Sequence, residues 1–125
     1  MYRQMYEKAK EGGYDMIVSD LYEGNDDGWR LVKGKTSDNS DMLSDILMRF
    51  LSSFWNKMIK IEIAKNSSIV FPIENTYENL ALIVQYAMLS KSVGYVPQPF
   101  YYYQRASSIL GMRPPEAMLE KTVRW

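Results

Sequence analysis

The run Tyr14-Asp15-Met16-Ile17-Val18-Ser19-Asp20-Leu21-Tyr22 reads as a strand. Its centre, Met16-Ile17-Val18, is apolar without alternation, as in a strand buried on both faces. Helical patterns lie before and after it, so the chain reads as α/β. Upstream, Tyr2, Met5, Tyr6 and Ala9 recur at helical spacing, and Gly12-Gly13 ends that segment as glycines past a helix usually do. No capping residue precedes Tyr2, as expected of a piece cut from a longer chain. Glu23–Asn39 is rich in turn residues and reads as a loop with a short strand at Trp29–Val32.

A second helix is expected from about Asp41 to Ser52, with Ser40 as N-cap and Met42, Leu43, Ile46, Leu47, Phe50 and Leu51 as its apolar stripe. Met58–Ala64 fits two patterns. Ile59, Ile61 and Ile63 alternate as in a strand, yet a short helix ending near Asn66 fits equally. Tyr77–Ser90 is the strongest helix. Its apolar residues cover most of its circumference, which predicts a central, buried position, with Asn75 or Thr76 as cap. Gly94–Gln104 is extended, and Pro97 and Pro99 assign it to a sheet edge or an irregular strand. Pro114-Pro115 opens a last short helix. The whole, residues 1–125, reads as a single domain of helices packed on a small mixed sheet.

Composition narrows the chemistry. Fifteen Lys and Arg balance fifteen Asp and Glu, so the chain lacks the basic footprint of a nucleic-acid binder. Without Cys there are no disulfides, thiolate metal sites or cysteine nucleophiles. Without His there are no Ser-His-Asp triads, imidazole ligands or histidine acid–base catalysis. Ten Tyr and three Trp are many for this length, and they are expected mostly to fill the core. No apolar stretch approaches the ~20 residues of a membrane span, and no signal peptide is visible. A cytoplasmic location is expected, with any membrane association made through partners.

Several motifs fail on spacing. Gly34-Lys35-Thr36 resembles the end of a phosphate-binding loop, but Trp29 stands where the first glycine belongs. Asn25-Asp26-Asp27-Gly28 lacks the later glutamate of a calcium loop and reads as a turn. Asn66-Ser67-Ser68 is a glycosylation triplet of a kind that arises by chance. No Asp-x-Asp triplet occurs.

Four blocks, in order, carry a resemblance. The first is Met5–Ala9 with Tyr14–Asp20. The second is Phe54-Trp55-Asn56-Lys57-Met58-Ile59-Lys60. The third is Phe71-Pro72 with Tyr77-Glu78-Asn79-Leu80. The fourth is Tyr95–Tyr103, trailed by Ser108-Ile109. Together they resemble the C-terminal, acceptor-side half of a family 2 glycosyltransferase with the GT-A fold, and they cover residues 1 to about 110.

The resemblance implies transfer of a sugar from a nucleotide-diphosphate donor to an acceptor hydroxyl, as in polysaccharide biosynthesis. In such enzymes the N-terminal half binds the donor, and its Asp-x-Asp motif holds Mn or Mg. That half is absent here, so metal and donor are expected only where it is present. The family's general base is the aspartate of a Glu-Asp pair, read here as Glu78-Asn79. An amide cannot take that proton. Glu78 also stands at capping-box spacing from Asn75. By the same resemblance, Trp55, Asn56, Lys57 and Tyr102 would contact the sugar acceptor, and Arg105 a diphosphate. Trp55 could equally belong to the core, Asn56 and Lys57 could fix a turn, and Arg105 could be solvated. The chain alone is expected to be inactive and to form a homodimer through surface that the missing half would cover. The competing reading is a non-catalytic binding or assembly module, which Asn79 favours.

Overall fold

The computed structural model describes residues 1–35, 37, 39, 41–48, 53–71 and 78–104. Their order is α1 (Tyr2–Gly12), β1 (Met16–Asn25), β2 (Gly28–Val32), α2 (Met42–Met48), β3 (Lys57–Ile59), α3 (Ile61–Ala64), α4 (Glu78–Leu89) and β4 (Val93–Gln104). The expected helix after Pro114 lies outside the described residues, as do Ser40, Asn75, Thr76, Arg105, Ser108 and Ile109.

β1 is the axis of a mixed four-stranded sheet. β4 runs parallel to it from Met16↔Val93 to Gly24↔Gln104 and occupies one of its edges. The other edge is shared by two antiparallel partners: β3 pairs with Met16–Val18, and β2 with Leu21–Asn25. The strand is longer than its apolar centre predicts. Residues 23–25, expected in a loop, extend it into a hairpin with β2. Asn25 and Gly28 pair across the Asp26-Asp27 turn, and Asn25 Oδ1 accepts the Asp27 N–H at 2.9 Å. The ambiguous stretch is both things in succession, the short strand β3 and then one turn of helix, α3.

Each face of β1 is covered differently. Met16 and Val18 pack with Met42 and Ile46 of α2 and with Leu82, Ile83, Tyr86 and Ala87 of α4. Ile17 faces the other way, onto Met5 of α1 and Val96 of β4. All three apolar residues are at most 1% exposed, as a strand buried on both faces requires.

Two helices depart from expectation. α4 is one-sided rather than central, because Met88 is 72% exposed while Ile83 and Ala87 are fully buried. In α1 the predicted stripe buries only Met5, and Tyr2 and Tyr6 stay in solvent. Gly13 ends α1 in the left-handed region, φ 63°, where glycine carries no penalty. At α2 the capping side chain is Asp41. Its Oδ2 accepts the Ser44 N–H at 2.9 Å and the Ser44 hydroxyl at 2.8 Å. Those bonds hold the Asp41 carboxyl below its usual range.

The tyrosines also depart from a core role. Among the described residues Tyr86 is the one buried tyrosine, and Tyr2, Tyr6, Tyr101, Tyr102 and Tyr103 are exposed. No helix among the described residues is long and apolar enough to cross a membrane.

Candidate functional site

β1 changes character at Ser19-Asp20. The apolar helices cover it up to Val18, and the next two side chains are polar yet buried, at 0% and 4% exposure. Burial of that kind requires partners, and they come from three other segments.

The first is residues 53–57. Just before β3, Asn56 continues the pairing with β1 by other means. The Ser19 N–H donates to the Asn56 carbonyl at 2.8 Å, and Asn56 Nδ2 donates to the Ser19 carbonyl at 2.7 Å. Asn56 Oδ1 then accepts from the Ser53 hydroxyl at 2.9 Å and from Lys57 Nζ at 2.9 Å. Lys57 Nζ also donates to the Ser53 carbonyl at 2.6 Å. Both acceptors of this buried ammonium are neutral, and no described carboxylate forms an ion pair with it. Burial pushes the Lys57 amine down to about 7. Asn56 and Lys57 therefore fix a turn, the bland role that their sequence context left open.

The other two segments reach Asp20. Its Oδ1 accepts the Gly34 N–H at 2.8 Å and the Tyr95 hydroxyl at 2.6 Å, tying the loop after β2 to β4. Its Oδ2 receives no hydrogen bond from a described residue. Gly34 must be small here, since a Cβ would press on Val18 and the Ser19 carbonyl.

Beyond Asp20 the sheet carries aromatic side chains on both faces. On the α1 side, Trp55 stacks on Tyr103 (centroids 5.0 Å apart, planes 10° apart) and on Tyr101 (5.8 Å, 24°). On the α2–α4 side, Tyr22 stacks on Tyr102 at 5.0 Å, and Trp29 meets Tyr102 edge-on at 5.5 Å and 74°. Trp55, Asn56 and Lys57 thus lie beside the middle of β1, whereas Tyr102 lies on the opposite face from Trp55. Alternation along an extended chain had already separated Tyr102 from Tyr101 and Tyr103.

Glu78 and Asn79 begin α4 as described. Glu78 is exposed and Asn79 half-buried. The other end of α4 is fastened to the start of β1, where the Lys91 N–H donates to Asp15 Oδ2 at 2.9 Å. Further along, α4 packs on Met16 and Val18 of β1 through Leu82, Ile83, Tyr86 and Ala87. An acidic Glu78 in its first turn suits the helix dipole.

Ser19, Asp20, Ser53 and Tyr95 were not among the residues singled out from sequence. The available signal was a carboxylate placed directly after a run buried on both faces. Among the described residues no group of three or more acidic side chains gathers as a metal site would require.

Compared with models of known protein families, the chain matches none, and no curated protein matches it either.

Proposed function

We propose that this chain is the acceptor-side portion of a family 2 glycosyltransferase of the GT-A type, moving a sugar from a nucleotide-diphosphate donor to an acceptor hydroxyl. One observation supports the reading above the rest. Residues from the first, second and fourth sequence blocks, which are far apart in the chain, meet around the middle of β1: Ser19 with Asn56, Asp20 with Tyr95, and Trp55 with Tyr101 and Tyr103.

In the reaction the acceptor oxygen bonds to the anomeric carbon as the bond to the diphosphate breaks, and the hydroxyl proton passes to a base. Asn79 cannot be that base. In this reading the metal and the donor belong to the half that carries Asp-x-Asp, and the chain alone is inactive.

Calorimetric titration with UDP-glucose and UDP-N-acetylglucosamine in the presence of manganese tests the reading. No heat of binding is expected. Metal-dependent binding would mean that the donor site is assembled on this chain. The second reading, a non-catalytic module that keeps the fold, is favoured by Asn79 alone. It predicts that neither donors nor sugar acceptors bind.

A further inference from the structure

Past Asp20, the strands show on their α2–α4 side only Tyr22 and Gly24 from β1, Trp29 and Leu31 from β2, and Tyr102 and Gln104 from β4. None is charged. The charged pair of this region, Arg30 Nη2 and Glu23 Oε2 at 2.6 Å, lies on the other face. Trp29 and Tyr102 come from strands on opposite edges of β1, so their rings meet above it, where Gly24 has no side chain. Gly24 cannot carry one, because a Cβ would run into the Gly28 carbonyl oxygen and the Cα of Trp29. The result is a corner of two ring planes 74° apart, braced from behind by Tyr22. Its walls remain in solvent: Trp29 is 47% exposed and Tyr102 62%.

We propose that this corner holds a neutral sugar ring of an extended glycan, set back from the ring that receives the transferred sugar. The inference rests on the proposed function for what that glycan is. The rest comes from the corner's chemistry. Aromatic planes present an apolar face to the C–H face of a pyranose, while phenol and indole N–H groups serve its hydroxyls. The Gln104 amide adds a donor and an acceptor at the rim. A surface without charge is complementary to an uncharged polyhydroxylated ligand and offers nothing to an acidic or basic one. Gly24 is four residues beyond Asp20, roughly 13 Å along an extended strand. A glycan that reaches from the corner to Asp20 is therefore longer than one pyranose ring.

The test is a titration of the full chain with cellohexaose and with maltohexaose, followed through the indole N–H resonances of the tryptophans. The expected result is a saturable shift of the Trp29 resonance with at least one hexamer. Trp29→Ala and Tyr102→Ala are expected to weaken binding about tenfold, and Tyr101→Ala, on the other face, to leave it unchanged. Far-UV circular dichroism confirms that the variants fold, and Trp29→Phe retains part of the affinity. No shift with either hexamer overturns the inference, as does tighter binding of a hexagalacturonate. A shift at Trp55 instead of Trp29 overturns the corner but leaves the acceptor reading standing. Binding at Trp29 by a chain that also takes up UDP-glucose would do the reverse.

Discussion

At the scale of single residues, Lys57 governs how stability depends on pH. Its amine titrates near 7 when folded, against an ordinary value of 10.5. Between those values the unfolded chain holds a proton that the folded chain has released. This lysine's share of stability therefore rises with pH from about 7 to about 10, by at most about 1.4 kcal/mol per pH unit. Below 7 both states are charged, and the burial cost is felt in full. Urea denaturation between pH 7 and 9.5 should show the rise, and Lys57→Met should flatten it. A Lys57→Met profile as steep as that of the parent chain would refute the assignment. Asn56 predicts a larger loss at fixed pH. Asn56→Ala strands the Ser19 carbonyl and removes the acceptor shared by Ser53 and Lys57. The expected cost is about 2–3 kcal/mol by denaturation. The pairing of Asn56 with Ser19 could not be read from sequence, because the two are 37 positions apart and the β1–β3 pairing brings them together.

Among the elements, the legible ones were those whose own periodicity settles them. Met16-Ile17-Val18 announced a strand covered on both sides, and Gly13 marked the end of α1. α4 was legible as a helix but not in its orientation, since an all-round apolar pattern does not say which face meets the sheet. Met88 turned out to face water, while Ile83 and Ala87 lie in the core. Ile83→Ala is accordingly expected to cost about 2–5 kcal/mol, and Met88→Ala well under 1 kcal/mol. Comparing their thermal midpoints checks this, and equal losses would contradict the one-sided packing. The β1–β2 hairpin was hidden because its strands carry turn-forming and charged residues. Cross-strand contacts hold it instead, with Glu23 on Arg30 and Trp29 reaching Tyr102. The aromatic residues misled for a related reason. Their number suggested a core, but the strands project them from the part of the sheet that no described helix covers.

For the molecule as a whole, the α1 side leaves an opening. A groove of about 500 Å³ runs between α1 and the β3–α3 segment, floored by Ile17 and Met58 and edged by Tyr6 and Ile61. Tyr6 and Ile61 are each 57% exposed, and Tyr2, on the same helix as Tyr6, is 73% exposed. Self-association through this side is the expected outcome. Sedimentation equilibrium at high micromolar concentration should give twice the 14.6 kDa chain mass, and Tyr6→Glu should return the monomer. A parent chain that sediments as a monomer would exclude the dimer.

The parallel pairing of β1 with β4 also bears on the order in which the chain can assemble. Met16 meets Val93, a separation of 93 − 16 = 77 residues, while both partners on the other edge lie closer in sequence. Such distant contacts slow folding, because the loop must close before the pairing offsets its cost. During synthesis at about 5–20 residues per second, one edge of the strand that organises the sheet would wait roughly 4–15 s for its partner. Through that interval its apolar centre has neither α4 nor β4 to cover it. The nascent chain is then exposed to chaperones, and to aggregation, until α4 and β4 are made.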